Sequence, residues 1–233
     1  MKTIGIVGGI GWPSTTTYYR AINELTSKHL GGPGTHCAEL VLVQTDFYLL
    51  ERLVQDGRWE EVANSLVALV KRLQSAGADF FIIPCNTFHL VAPQIESKID
   101  LPMVHIVDAT ARKITQKGYK TVGLIGSQYT MTRDYFIGRL VSQYGLIVLV
   151  PDEGQRSGIS QAVRSQLLQG IFLSDTRSLF MDAITGLAGR GAEAVILGCT
   201  EIGILVQDEH SSVPLIDTAI AHAEAAVERA LGG

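Results

Sequence analysis

The chain repeats itself. Lys2-Thr-Ile-Gly-Ile-Val-Gly-Gly9 returns 118 residues later as Lys120-Thr-Val-Gly-Leu-Ile-Gly-Ser127. Gly77-Ala-Asp-Phe-Phe-Ile-Ile-Pro-Cys85 returns 114 residues later as Gly191-Ala-Glu-Ala-Val-Ile-Leu-Gly-Cys199. After each cysteine comes a Pro-bounded apolar segment ending in Asp, Leu101–Asp108 and Val213–Asp217. Three matches in one order at similar offsets indicate a duplicated half, and a chain of 233 residues has room for two such lobes.

Short β-branched runs alternate with helical periods. The runs Thr3–Val7, Leu40–Val43, Phe80–Ile83, Thr121–Ile125, Ile147–Val150 and Ala194–Leu197 are nearly continuous in apolar residues. Strands buried on both faces of a parallel sheet have that pattern. Val62-Leu66-Leu69-Leu73 and Leu179-Ala183-Leu187 have helical spacing and end near Gly77 and near Gly189 and Gly191, where a left-handed cap is wanted. The expected fold is α/β: two similar lobes, each a parallel sheet with flanking helices, related by a pseudo-twofold axis with the active site in the cleft between them. The first lobe is expected over residues 1–112 with 214–233, the second over 113–213, and the last helix over 218–231 packs back onto the first.

Charge excludes some partners. Nineteen Lys and Arg against 23 Asp and Glu, scattered along the chain, leave a net charge of −4 and no basic patch for nucleic acid or a membrane surface. The opening residues read as a strand rather than a signal peptide, and no stretch approaches the roughly 20 apolar residues of a membrane span. Three cysteines, an odd number without an export signal, fit the reducing cytoplasm better than a disulfide scaffold.

Two of those cysteines occupy equivalent places. Cys85-Asn86-Thr87 and Cys199-Thr200 each end a buried strand, where open α/β sheets bind ligands. A helix starting there favours a thiolate and offers N–H groups to a carboxylate. Two lobes facing one cleft would bring the thiols to opposite sides of a ligand. One could then remove a proton from carbon while the other delivers one to the opposite face, with no cofactor. Cys37 has no counterpart in the repeat and reads as a small packed residue.

At these residues the chain resembles the aspartate/glutamate racemase superfamily, in particular its aspartate racemase-like, PLP-independent branch. The resemblance is carried by Gly8-Gly-Ile-Gly-Trp-Pro-Ser-Thr15 with Tyr18-Tyr19 and Ile22-Asn23, by Pro84-Cys-Asn-Thr87, by Leu124-Ile-Gly-Ser127 with Tyr129-Thr-Met131, and by Gly198-Cys-Thr-Glu201. It implies that Cys85 and Cys199 are the two proton donor/acceptors, and that Asn86, Thr87, Ser127 and Thr200 hold the α-carboxylate and amino group. Gly11, Trp12, Thr130 and Glu201 join the expected substrate-binding set. Arg52, expected in the loop after the second strand, would pair with a side-chain carboxylate. A homodimer acting on an acidic amino acid is implied too.

The chain departs from the pattern in places. Pro13 stands where many members carry an acidic residue, and Leu168-Gln169 stand where some aspartate racemases carry a second basic residue. Strict aspartate specificity is thereby weakened, and glutamate or a broader substrate stays open. The glutamate racemases of cell-wall synthesis open Asp-Ser-Gly and carry His after the second Cys-Thr; Gly8-Gly9 and Glu201 differ from both.

Rival chemistries find less support. Gly9-Ile-Gly-Trp-Pro-Ser14 lacks the third glycine and the downstream acidic residue of a dinucleotide fingerprint. Cys85 and His89 with Cys199 could ligate zinc but have no accompanying Cys-x-x-Cys or His-Glu-x-x-His, so no metal is expected. The lysines fall at strand starts and on polar helix faces, which argues against PLP, and no cofactor is expected. A two-lobed protein that only binds an acidic small molecule remains the non-enzyme alternative. A different isomerase or a decarboxylase of the same superfamily is the other.

Overall fold

Two parallel sheets organise the chain, and the computed structural model describes residues 1–232. The first contains β1 (Ile4–Gly8), β2 (Leu40–Gln44) and β3 (Phe80–Ile82) in the order β2-β1-β3. Around it run α1 (Trp12–Leu30), α2 (Phe47–Gln55), α3 (Trp59–Ser75) and the short α4 (Ala92–Glu96), with a 3₁₀ turn at Thr87–Val91. The second half opens with α5 (Ile106–Gln116) and holds β4 (Thr121–Gly126), β5 (Ile147–Leu149), β6 (Ala194–Gly198) and β7 (Leu215–Asp217), in the order β5-β4-β6-β7. Its further helices are α6 (Gln128–Thr132), α7 (Ile137–Tyr144), α8 (Glu153–Ser165), α9 (Ser174–Gly189), α10 (Ile202–Leu205) and α11 (Thr218–Leu231).

By contacts the chain forms two units, Met1–His105 with the segment from His222 onward, and Ile106–Ala221. Thus α5 belongs wholly to the second unit, as does the first turn of α11, whereas the sequence reading gave residues 106–112 and 214–221 to the first lobe. The chain returns to the first unit within α11, between Ala221 and His222. Each unit has its own apolar core. Val62, Leu66, Val70 and Leu73 of α3 meet Val7 and Phe81 in the first; Phe180, Ile184 and Leu187 of α9 meet Leu124 and Ile196 in the second.

The repeat offsets reappear as strand register. Gly5 pairs with Phe81 and Gly123 with Val195, partners displaced by 118 and 114 residues. The edges of the ladders repeat too. The Asp79 N–H bonds the Thr3 carbonyl at 2.9 Å, and the Glu193 N–H bonds the Thr121 carbonyl at 2.8 Å. Glycine explains why the helices sit so close: a Cβ on Gly5 would lie 3.2 Å from Leu73, and one on Gly123 would lie 3.0 Å from the equivalent Leu187. Gly77 and Gly191 take φ of 89° and 94° where α3 and α9 stop, a conformation glycine adopts without penalty.

Three expectations need correcting. The runs at 40–43 and 147–150 are edge strands, half-exposed rather than buried on both faces, because each has a neighbour on one side only. The segment after Cys199 supplies a true strand, β7, whereas its counterpart makes a single bridge from Phe81 to Met103. Finally, Phe81 with Met103 corresponds to Val195 with Leu215, so Asp217 is the equivalent of His105 and not of Asp108.

Candidate active site

Within the first unit, β1 and β3 end side by side and the chain turns from each. Gly9 has a φ of 83°, and a Cβ there would collide with the Thr45 carbonyl, so no other residue fits this turn. The Gly9 N–H bonds Thr15 Oγ1 at 2.9 Å, and the buried Ser14 hydroxyl donates to the Pro84 carbonyl at 2.9 Å. The first bond closes the Gly-rich turn on itself, and the second ties it to the residue before Cys85. Gly11 precedes α1 with a φ of 35°, and Trp12, its first residue, is exposed.

Cys85 is half-buried and sits in a tight turn, its N–H bonded to the Ile83 carbonyl at 2.7 Å. Asn86 is buried and Thr87 half-buried. His89 lies beneath them, 1% exposed, with Nδ1 at 2.9 Å from the Cys85 carbonyl. A carbonyl can only accept, so Nδ1 carries the proton. The His89 ring is 4.6 Å from that of His105 and 5.8 Å from that of His222. His222 bonds the Val104 carbonyl through Nε2 at 2.8 Å and the Tyr18 hydroxyl through Nδ1 at 2.9 Å. Its Nε2 is therefore the protonated nitrogen and Tyr18 the donor to Nδ1. Burial, with His89 close by, pushes the His222 pKa down to about 3 and keeps the ring neutral.

In the second unit the same two strand ends carry Ser127 and Cys199. Gly126 and Gly198 are register partners, and a Cβ on Gly126 would come within 2.6 Å of the Gly198 carbonyl oxygen. The two bare glycines let the next residues of both strands approach. Ser127 caps α6 by accepting from the Thr130 N–H at 3.3 Å, and its hydroxyl is 3.0 Å from that of Thr130. The Thr130 hydroxyl in turn is 2.9 Å from that of Tyr135. Thr130 is fully buried in the middle of this hydroxyl chain, and Ser127 and Tyr135, both half-buried, are its two ends.

Cys199, Thr200 and Glu201 are all buried. The Cys199 thiol donates to Glu201 Oε2 at 3.1 Å, and the Thr200 hydroxyl donates to the same oxygen at 2.9 Å. With its hydrogen given to Glu201, the Thr200 hydroxyl can only accept from a ligand, which suits an ammonium better than a carboxylate. Burial pushes the Glu201 pKa up to about 6 against the pull of these hydrogen bonds, and Asp217 adds to the rise. Asp217 is itself pushed up to about 6 by burial while capping α11 through the N–H groups of Ala219 and Ile220. Where the first unit sets His89 against His105, the second sets Gly203 against Asp217, whose Oδ2 takes the space a Cβ would need.

Several expected residues stand differently. The helices that should follow each cysteine are a five-residue 3₁₀ turn and the four-residue α10. Few aligned peptides mean a small dipole, so thiolate stabilisation from that source is slight. Arg52 lies in the last turn of α2 and not in a loop, because Asp46 caps that helix by accepting from the Tyr48 N–H at 3.1 Å; its side chain is exposed. Cys37 is exposed, not packed. Tyr135, Ser14, Tyr18 and His222 receive no site role from the sequence, although Ser14 and Tyr18 fall within the stretches that carry the resemblance.

The sequence profile of the family described as Asp/Glu/hydantoin racemase matches residues 7–226. The broad specificity amino-acid racemase of Bacillus subtilis (strain 168) is 23% identical over 227 residues, covering 96% of both chains. A solved structure from Yersinia pestis with a provisional Asp/Glu racemase name is 38% identical, covers 99% of this chain and 100% of its own, and superposes with a TM-score of 0.90. An aspartate racemase homologue from Pyrococcus horikoshii OT3 is 30% identical with the same coverage and a TM-score of 0.81.

Proposed function

The chain belongs to the Asp/Glu/hydantoin racemase family and is a racemase, hence an isomerase, and from that premise we propose that it interconverts the L and D forms of an acidic amino acid, aspartate and/or glutamate, with Cys85 and Cys199 as the two bases. The observation that carries this reading is the equivalence of the two thiols. Cys85 stands three residues after β3 and Cys199 directly after β6, at positions 114 residues apart in the repeat, and each is followed by small polar residues.

In the proposed step a Cys85 thiolate takes the Cα hydrogen as a proton. An S–H bond forms, the C–H bond breaks, and its electron pair stays on a carbanion conjugated with the α-carboxylate. The Cys199 thiol gives its proton to the opposite face and is left as a thiolate. No electron is gained or lost, so the step asks for no redox partner. The opposite enantiomer runs the same path backward. Asn86, Thr87 and Ser127 are the candidate donors to the carboxylate, where charge grows in the transition state; Thr200 is the candidate acceptor for the amino group. Trp12, Gly11 and Arg52 are proposed to meet the substrate, Arg52 through a side-chain carboxylate. Thr130 acts through Ser127.

A wider substrate range has its own support. Leu168-Gln169 lie in a 3₁₀ turn where a second basic residue would add selectivity for a short acid, and the B. subtilis relative is named for broad specificity. The test incubates the protein in D₂O with L-aspartate, L-glutamate and a panel of neutral amino acids, reading loss of optical rotation and deuterium at Cα. Exchange with the two acids is expected to be fastest. Comparable exchange across the neutral panel selects the broad reading, and no exchange with any amino acid refutes both. A homodimer, implied only by the resemblance, is checked by light scattering on the eluting protein. Among the described residues no helix is long and apolar enough to cross a membrane.

A further inference from the structure

Glu201 is an odd residue to find where it is. The residue is 1% exposed, and the hydrogen bonds its carboxyl accepts from neighbouring side chains both fall on Oε2, shared by the Cys199 thiol and the Thr200 hydroxyl. Oε1 is buried and makes no hydrogen bond among the described residues, and no cation is paired with the group there. Leaving a buried carboxylate oxygen bare costs folding free energy. A carboxyl wanted only to brace α10 would serve as well as an amide.

We infer that Glu201 is a positioning residue for the reaction: it holds the Cys199 thiol protonated and aims its hydrogen, so that Cys199 enters catalysis as the proton donor. The inference rests on the racemase reading above. Its physical basis is that a thiolate and a carboxylate 3.1 Å apart in a buried site would repel strongly, so one proton is retained between them. A thiol beside an ionised carboxylate is the arrangement with the smaller buried charge separation. The titratable groups facing Glu201 are Cys199 on its own turn and Asp217 at the start of α11; Asp208 acts on Asp217. All are acids, so each favours keeping the proton. Once Cys199 has given its proton to carbon, the thiolate is left next to that carboxylate and becomes a stronger base for the return reaction. At the place equivalent to Glu201 the first unit carries the uncharged Thr87, two residues after Cys85.

The test titrates one sulfur. A chain carrying Cys37→Ser and Cys85→Ser, labelled with [3-¹³C]cysteine, has a single Cβ resonance that reports Cys199 ionisation without requiring reagent access. Adding Glu201→Gln is expected to lower the midpoint of that titration by about one pH unit or more, the scale of a lost adjacent like charge. An unchanged or higher midpoint overturns the inference, and a purely bracing role predicts that outcome. Should Glu201→Gln fail to fold, the unaltered Glu201 chain still decides. A small step in the Cys199 resonance near pH 6, as the carboxyl titrates through the shared hydrogen bond, is expected, and its absence refutes the role. Neither measurement requires turnover, so a failed D₂O exchange would sink the substrate reading while leaving the thiol result to stand or fall separately.

Discussion

A buried carboxyl beside a thiol alters stability as well as chemistry. For Glu201 and Asp217 the folded pKa lies above the unfolded value, about 6 against 4.5 and 3.8. The folded state therefore holds more protons between those limits, and stability falls as pH rises through them. The cost is absent in acid and complete above pH 6. For Glu201 it is on the order of 2 kcal/mol, from about 1.4 kcal/mol per pKa unit. Urea unfolding should accordingly show Glu201→Gln gaining about that much on the parent chain between pH 4.5 and 7; a pH-independent difference would show that the carboxyl is not displaced. Kinetics give a second residue-scale expectation. Cys85→Ala and Cys199→Ala should each cut racemisation by a factor on the order of 10² to 10⁴. Since L and D forms are equally stable, kcat/KM must fall equally in both directions for either variant. Activity retained in both single variants would remove the two-base assignment.

At the scale of elements, the paired strand ends depend on bare glycines. Gly126→Ala puts a Cβ 2.6 Å from the Gly198 carbonyl, a backbone atom that cannot swing aside. We expect a loss of about 2–3 kcal/mol, as in other overpacked interiors, together with lost activity as Ser127 is displaced from Cys199. Gly186→Ala is the counterpart. This exposed position of α9 has nothing within 4 Å of a built Cβ, so the substitution should stabilise by about 0.4–1 kcal/mol in chemical denaturation; a loss there would mean that α9 is bent. These elements also show where the sequence could be read. Cys85 and Cys199 stood out because the repeat displayed the same strand, turn and thiol twice. The three-residue β7 was hidden by its brevity and flanking proline. The edge strands looked buried because apolar runs do not reveal how many neighbours a strand has. Tyr18 and His222, 204 positions apart, could not be joined at all: nothing local to either residue points to the other.

The whole molecule combines opposite responses to acid. His222, in the first unit, has its pKa pushed down to about 3 from 6.5. Its unfolded state binds more protons in that interval, so stability rises with pH through it and is lost as pH falls below 6.5, by an amount on the order of 5 kcal/mol once fully protonated. Glu201 and Asp217, in the second unit, act the other way. Lowering pH from 6.5 to 4.5 should therefore quicken amide exchange in the first unit and slow it in the second, after correction for intrinsic rates; parallel changes in both would refute the assignment. His222→Gln should abolish the first response. The division of the chain also has a consequence for synthesis. The second unit is one unbroken stretch, 106–221, whereas the first needs its opening strand and the end of α11, joined where the Lys2 N–H meets the Ala230 carbonyl at 2.8 Å and Tyr18 meets His222. A polypeptide emerging from the ribosome therefore finishes its later copy of the repeat before its earlier one, and the earlier copy must wait, unsealed, for the last helix to be translated.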